Sequence, residues 1–376
     1  MASAGDGVGV WTRVAKSTIA HWSPKIVDAV MNYYPWLAEM QRRGRVESGL
    51  SGGQLRWNVK IKRRDLQEYV DASQINFIRS DLHENAFLPW RGCLVSEMIT
   101  DQERQENRGK EAMVKLFENK FMDMQEDALQ LYAAQLWDDG NGSSANNCTM
   151  HGIFSFMSTT GQTDTDAEAT TYNDTYANLS TAEGGLQADS TKPGYDAWTP
   201  TVISTNKHDS GGANQAWSEF ADQYVRKGLL ECYHGGDQRI HGVFLSKTAF
   251  EEFLNLQTQK ERLVFSPSES KEGRSPGFGA GTGGNPKFYF DGAMICQDEA
   301  MPATDPNASG VVRGVGINFN QVKLCLLGPK GTKLFRGESD YDINQDAVKM
   351  FLKNLGNLKF KTPRAHLGLI DLATVV

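Results

Sequence analysis

Three residues that could bind zinc stand close together in the stretch "CYHGGDQRIHG". Cys232, His234 and His241 supply one thiol and two imidazoles, which are ligand types that zinc accepts. Their spacing matches no standard zinc site, and no fourth ligand stands nearby. The stretch also follows an apolar helical pattern and contains two glycines. We therefore interpret it as the end of a helix followed by a turn.

A second group of candidate ligands begins like a calcium-binding loop. Asp164, Asp166 and Glu168 alternate as the first ligands of such a loop do. The glycine required at the sixth position is Ala169, and the glutamate required at the twelfth is Thr175. A solvated acidic loop is therefore favoured over a calcium site.

Two glycine-rich stretches could approach a phosphate, but neither has the rest of a phosphate-binding motif. "EGRSPGFGAGTGGNP" (272–286) lacks the Gly-Lys-Ser/Thr ending of a P-loop, and a strand pattern follows it. "GPKGTK" (328–333) fails for the same reason. The sequence contains no GxSxG, HExxH or kinase signature. It therefore predicts no enzyme, no catalytic residue, no metal and no cofactor.

Composition limits the classes of protein that remain. The five cysteines are scattered, odd in number and never spaced as CxxC, which favours a reducing cytoplasm over a disulfide framework. There is no apolar run long enough to span a membrane and no signal-peptide pattern after Met1, so we expect no membrane association. The formal charge of −7 is the opposite of what a protein that grips nucleic-acid phosphates needs.

A cluster of cations lies within an alternating segment that predicts a half-buried strand. Apolar and polar residues alternate through "QLRWNVKIK", and a second strand pattern covers 85–100. We interpret the two as a long hairpin with an extended tip, which must pack on something because an isolated hairpin is marginal in water. Its polar face carries five cations: Arg56, Lys60, Lys62, Arg63 and Arg64. They form either a solvated face or a contact for a neighbouring subunit.

One long helix follows the hairpin. No proline or glycine interrupts the sequence from Lys110 to Asp139, whereas the mean helix of a globular domain has only about 11–12 residues. One side is apolar and the other is charged, which predicts an amphipathic rod with a single buried stripe. The stripe residues that we expect to pack are Phe117, Phe121, Met124, Ala128 and Leu131.

The remaining segments suggest an arm, an α+β region and closing strands. Residues 1–50 hold short helical patterns broken by Pro35, too small for a core of their own. The polar stretch 160–215 is interpreted as surface loop or insertion. From Ala216 the order helix, strand, helix predicts an α+β arrangement. The last segment has strand patterns with predicted turns at Gly356 and Pro363.

This order of parts resembles the major capsid protein of tailed bacteriophages, of the Hong Kong 97 type. Five stretches carry the resemblance in the right order. They are "GRVESGLSGGQLRWNV", "GKEAMVKLFENKFMDMQEDALQLYAAQLWDDGN", "GGDQRIHGVFLSKTAFEEFLN", "NPKFYFDGAMICQDEAMP" with "VGINFNQVKLCLLG", and "INQDAVKMFLKNLGNLKFKTPRAHLGLI". Little of the stretch 160–215 resembles the family.

The resemblance implies a division of the chain and a function. The implied parts are an N-terminal arm (1–50), an E-loop hairpin (51–100), a spine helix belonging to the P-domain (101–147), an A-domain (148–335) and returning P-domain strands (336–376). The implied function is a shell subunit that forms hexamers and pentamers of an icosahedral phage head around double-stranded DNA. Implied partners are other copies, portal and scaffolding proteins and a decoration protein, with assembly in the bacterial cytoplasm.

Two other functions stay open at this point. A bacterial nanocompartment shell shares the fold but encloses enzymes, and a soluble α+β enzyme could hide a site assembled from distant residues. Some members of the capsid family also join an E-loop lysine to a P-domain asparagine. Lys60, Lys62, Asn354 and Asn357 are present, but such residues are common and we assign no cross-link.

Overall fold

Two large β-sheets and the helices that cover them form most of the described chain. The computed structural model describes residues 34–60, 68, 82–106, 110–141, 149–157, 168–169, 175–181, 198–205, 216–233, 239–260, 278–280, 286–303, 311–331, 334–342 and 347–371. The helices in this part of the chain are α1 (Pro35–Arg42), α2 (Asp101–Glu106), α3 (Lys110–Gln135), α4 (Trp217–Glu231) and α5 (Lys247–Lys260), with 3-10 turns at Ile153–Ser155 and Pro363–Ala365.

The strands belong to two large sheets and two short ribbons. In chain order they are β1 (Val46–Leu50), β2 (Gln54–Lys60), β3 (His83–Pro89), β4 (Arg91–Thr100), β5 (Glu168–Ala169), β6 (Thr175–Tyr176), β7 (Leu179–Ser180), β8 (Thr201–Ser204), β9 (Gly242–Leu245), β10 (Phe278–Ala280), β11 (Pro286–Phe290), β12 (Ala293–Gln297), β13 (Val311–Ile317), β14 (Val322–Leu327), β15 (Arg336–Asp342), β16 (Ala347–Phe360) and β17 (Leu367–Asp371).

The first sheet has five strands with β16 at its centre. β16 runs antiparallel to β4, β14 and β15, and β1 joins β14 in parallel. Even-numbered residues of β16, such as Val348, Leu352 and Leu358, are buried, while most odd-numbered ones are partly exposed. Successive side chains of a strand point to opposite faces. The sheet therefore has a buried face and, at residues 349–355 on the odd-numbered side of β16, an open face.

The second sheet has eight strands in the order β10-β11-β12-β9-β13-β17-β8-β5. Helices α4 and α5 cover one of its faces, around a core that includes Trp217, Tyr224 and Phe253. Its other face contributes Phe244 and Ile370 to the main core that it shares with the first sheet. Both faces are therefore covered, which is why every residue of the short strand β9 is buried.

Among the described strands, the chain passes between the two sheets from β4 to β5 through α3, and by short connections from β13 to β14 and from β16 to β17. The two short connections lie side by side and are hydrogen-bonded to each other. The amide of Lys361 donates to the carbonyl of Gln321 at 2.8 Å. The amide of Asn318 donates to Nδ1 of His366 at 3.4 Å.

The long helix ends earlier than the sequence predicts. The pattern predicts an unbroken helix to Asp139, but α3 stops at Gln135. The carbonyl of Leu136 accepts the amide of Ile153 at 3.0 Å. A Cβ atom on Gly152 would lie 2.5 Å from that carbonyl oxygen. The returning chain therefore occupies the space that another helical turn would need.

The predicted strand 85–100 is two strands in two different sheets, which corrects the hairpin interpretation. β3 pairs with β2 in the hairpin, whereas β4 pairs with β16 along its whole length in the first sheet. The division falls at Trp90, whose indole N–H donates to the carbonyl of Gly52 at 2.8 Å. Only the segment up to Pro89 therefore belongs to the hairpin, and β4 is part of the first sheet.

The closing segment also differs from its prediction at Gly356. A turn is predicted there, but β16 continues through it to Phe360. A Cβ atom at Gly356 would lie 2.7 Å from the carbonyl oxygen of Cys325 on β14. Glycine thus allows close approach of two strands rather than a change of direction. The predicted turn at Pro363 coincides with a 3-10 turn.

The two sheets also divide the chain differently from the expected parts. β14 lies within the segment 148–335 but pairs with β16 in the first sheet. β17 lies within 336–376 but pairs with β13 and β8 in the second sheet. Of the expected arm, residues 34–50 are described, and α1 buries Trp36 against Trp137 with ring centroids 4.6 Å apart.

Candidate subunit-contact site

The hairpin base packs on its own protomer through one face. Leu55 and Val59 of β2 and Ala86 and Leu88 of β3 are buried in the main core. Trp57 lies between them, with its ring centroid 6.4 Å from that of Trp198. The predicted alternation in β2 therefore separates an apolar face, covered within the protomer, from a polar face.

The polar face of the hairpin base carries two of the five predicted contact cations. Arg56 and Lys60 are exposed on β2, opposite Phe87 and His83 of β3. Arg56 donates through Nη2 to Oε1 of Gln54 at 3.2 Å, an exposed contact that leaves most of its donors to solvent. The other three cations, Lys62, Arg63 and Arg64, lie outside the described residues.

Four of the five predicted stripe residues of the long helix are buried, and the fifth is not. Phe117, Phe121, Met124 and Ala128 are at most 3% exposed, whereas Leu131 is 57% exposed. The buried positions continue at Tyr132 and Leu136 instead. Steps of mostly four residues make the stripe drift around a helix of 3.6 residues per turn. The drift carries it past Leu131, so placing Leu131 in the stripe was wrong.

An ion-pair network fixes the helix to the edge of the first sheet. Nζ of Lys120 lies 3.3 Å from Oε1 of Glu97 on β4 and 3.1 Å from Oε1 of Glu103 on α2. Burial alone would lower the pKa of Lys120, but these hydrogen bonds raise it above its usual value. Glu103 also accepts the amide of Thr100, whose hydroxyl accepts the amide of Glu103 in return. This capping box begins α2.

Two aromatic residues from the supposed polar insertion lie at the centre of the molecule. Tyr176 and Trp198 are fully buried and stack with centroids 5.9 Å apart. The Tyr176 hydroxyl donates to the carbonyl of Leu358 at 3.2 Å and accepts the amide of Phe360 at 3.1 Å. Sequence reasoning missed both residues because a single aromatic in a polar stretch gives no periodic signal.

The two asparagines considered for a cross-link form hydrogen bonds within the protomer. Asn354 donates from its amide to the carbonyl of Leu334. Asn357 donates to the carbonyl of Pro89 at 2.9 Å and accepts the amide of His151 at 3.0 Å. Both side chains are buried by these contacts. Neither amide group is therefore presented to a lysine of another subunit.

The metal candidates do not come together among the described residues. Cys232 is buried, and burial raises the pKa of its thiol to about 12, which keeps the sulfur protonated. His234, Asp164 and Asp166 lie outside the described residues. The part of the chain that the structure describes contains no group of three potential metal-binding side chains. None of its helices is long and apolar enough to cross a bilayer.

Two buried histidines stand in the main core. His366 is fully buried, and burial lowers its pKa to about 3. Burial lowers the pKa of His151 to about 4, and the charge of Arg91 acts in the same direction. His366 lies against the ring of Phe360 with centroids 5.2 Å apart. Both imidazoles are therefore neutral groups in the core.

Solved capsid structures share this arrangement along most of the chain. A capsid chain of a native GTA particle aligns over 89% of this chain and 90% of its own length, with a TM-score of 0.52 and 8% identity. The capsid of the cyanophage A-1(L) aligns over 87% and 89%, with a TM-score of 0.53 and 12% identity. The capsid of an empty GTA particle aligns over 87% and 94%, with a TM-score of 0.50 and 9% identity.

No protein-family model matches the sequence, and no curated protein matches it. Sequence identities of 8% to 12% support a shared fold but no statement about function or individual residues. The chain has the α+β fold of these capsid proteins, and the predicted fold class is confirmed.

Proposed function

We propose that this chain, which has a capsid fold, is the major shell subunit of a tailed-phage head. Copies of it assemble into hexamers and pentamers of an icosahedral shell that encloses double-stranded DNA. The observation that carries the proposal is the likeness to capsid chains over about nine-tenths of both partners.

The architecture offers a physical reason for the same function. A long helix lies against β4 and β16 of the five-stranded sheet, and the base of a two-stranded hairpin packs on the same main core. The exposed cations Arg56 and Lys60, together with Lys62, Arg63 and Arg64, then contact acidic groups of a neighbouring subunit. Heterologous contacts of this kind generate rings when the rotation between subunits closes.

The proposal includes partners and a location. Portal and scaffolding proteins and a decoration protein are the expected accessory partners, and the shell forms in the bacterial cytoplasm before it becomes part of the virion. The enclosed DNA is held without sequence-specific binding, since the chain carries a formal charge of −7.

Electron microscopy of the purified protein tests the function. We expect angular closed shells, and shells isolated from infected cells should contain DNA. A protein that stays monomeric under all assembly conditions, including with its scaffold, would contradict the proposal. Shells that enclose enzymes instead of DNA would assign the chain to nanocompartments.

A further inference from the structure

Three lysines, each partly exposed, lie at the end of the first sheet where β14 pairs with β16. Lys323 of β14 lies directly opposite Lys359 of β16 in the antiparallel ladder. Lys361 follows two residues after Lys359, and its charge acts on Lys359 and on Glu47. Like charges directly opposite each other in a sheet lower its stability. The arrangement therefore costs the protomer free energy.

The carboxylate of Glu47 interacts electrostatically with all three lysines. Nζ of Lys323 lies 2.9 Å from Oε2 of Glu47, and this hydrogen bond lowers the pKa of Glu47. Lys359 instead places its Nζ 5.0 Å from the ring centroid of Trp57. Burial lowers the pKa of Lys359; Cys325 and Glu47 act in the opposite direction, and the charges of Lys361 and Lys323 add to the lowering. Neither Lys359 nor Lys361 has an ion-pair partner among the residues that the structure describes.

Another lysine on the same strand shows the contrast. Lys353 stands six residues before Lys359 on β16, so its side chain points to the same side of the strand, and its Nζ is 2.8 Å from Oε2 of Glu338 on β15. Its charge is therefore compensated within the protomer. The three-lysine cluster keeps an excess of positive charge in a chain whose 46 acidic residues outnumber its 39 basic ones.

We propose that Lys323, Lys359 and Lys361 form a docking site for carboxylates of a second copy of this chain. The inference rests on the proposed function and names a contact that holds the shell together. Charge complementarity selects the partner, because another copy presents a surface with an excess of carboxylates. The long helix alone exposes Asp123, Glu126 and Asp127 within a single turn.

Removal of these charges should impair assembly while leaving the protomer folded. Lys359→Gln/Lys361→Gln removes the repulsion across β14 and β16 together with the contact between Lys359 and Trp57, so the Tm of the unassembled protomer should change by no more than about 1–4 °C. The same variant should need a several-fold higher protein concentration to assemble at low salt. The difference should shrink near 1 M salt, where the Debye length is about 3 Å.

The matched control is Lys353→Gln, which removes a lysine from the same strand and face. Because Lys353 has Glu338 as its partner, the control should leave the assembly threshold at the wild-type value and should not raise Tm. Thermal unfolding below the assembly threshold gives Tm. Light scattering against protein concentration, in buffer free of nucleic acid, gives the threshold.

The outcomes separate this inference from the proposed function. If wild type and Lys359→Gln/Lys361→Gln assemble at the same concentration, the docking site is overturned and the shell function stands. A fall in Tm of more than about 5 °C also overturns it, because the assembly defect would then follow from unfolding of the protomer. A defect that requires added DNA overturns it in favour of a nucleic-acid contact. If wild type forms no shells, both proposals fail.

Discussion

At the scale of single residues, His366 is a neutral imidazole that joins two parts of the chain. Its Nδ1 accepts the amide of Asn318, and its ring lies against Phe156 and Phe360. Arg364 and the buried Cys232 thiol are the nearby groups that could titrate or carry charge. Protonation would replace the acceptor with a donor and would bury a charge, which the surroundings do not compensate.

Lowering the pH should therefore destabilise the protomer through His366. Between pH 6.5 and pH 3 the unfolded chain binds a proton that the folded chain does not, so the free energy of unfolding falls as pH falls. From pH 7 to pH 5 the expected loss is about 2 kcal/mol. Urea unfolding of wild type and His366→Asn at both pH values measures it, because asparagine keeps an acceptor and does not titrate.

The comparison between the two proteins isolates His366 from other groups. His151 shifts stability in the same direction, while Asp298, whose pKa burial raises to about 6, acts in the opposite one. Both remain in wild type and variant and cancel in the difference. Equal pH slopes for the two proteins would show that His366 is not buried as a neutral base.

Single buried residues were the least predictable part of the molecule from sequence. Tyr176 and Trp198 are central to the core, yet each stands in a polar stretch without periodicity. Their burial depends on strands far away in sequence, such as β16, whose backbone binds the Tyr176 hydroxyl. The sequence pattern around these two residues gives no information about partners so far away in the chain.

At the scale of elements, the long helix shows where burial controls stability. Met124→Ala should cost about 2–5 kcal/mol, because Met124 is 3% exposed and its removal leaves a cavity. Leu131→Ala should stay within about 0.5 kcal/mol, because its side chain is mostly in solvent. Denaturant unfolding of the two variants compares them directly. Equal losses would contradict the observed drift of the stripe.

The straightness of the same helix should matter for assembly. Proline at Gln125 would remove a backbone hydrogen bond and clash with the preceding turn, costing about 3 kcal/mol or more and bending the helix. Gln125→Ala should be nearly neutral, because alanine is a good helix former. Electron microscopy should show closed shells for alanine and none for proline. Normal shells from both variants would show that assembly does not require a straight helix.

The sequence predicts which helices and strands form better than it predicts where they end and with which strands they pair. Periodicity predicts the long helix, and α3 extends over 26 residues of the predicted range. It could not predict the end at Gln135, because the segment around Gly152 blocks the next turn. Nor could it separate β3 from β4, since both continue one strand pattern while pairing with different sheets.

At the scale of the whole molecule, the cationic face of the hairpin should act between subunits. Lys60→Glu/Lys62→Glu should leave the protomer folded, because Lys60 is exposed and surface pairs contribute only about 0–1 kcal/mol each. Repeated around a shell, the reversed charges should raise the concentration needed for assembly. Circular dichroism measures folding, and light scattering measures assembly.

A control with the same change in net charge is Lys247→Glu/Lys330→Glu, which reverses two exposed lysines elsewhere on the protomer. It should assemble near the wild-type concentration if the hairpin contact is specific. Should both double variants fail equally, general charge repulsion rather than the hairpin would explain the defect.

The fold of the whole chain was predictable because the order of its segments extends over the full sequence. An arm, an alternating strand, one long helix and an α+β region follow one another, and the aligned capsid structures confirm the fold class predicted from this order. The positions of Arg56 and Lys60 on the exposed face of β2 follow from alternation alone. The cluster of Lys323 with Lys359 does not, because it depends on the register between β14 and β16.

The connections between the sheets determine how a force on one of them reaches the other. Two short connections lie side by side and are joined by the Lys361–Gln321 and Asn318–His366 hydrogen bonds. The long helix provides a further connection, from β4 to β5, and both sheets contribute side chains to the main core. Pressure on one sheet should therefore be transmitted to the other with little rotation between them.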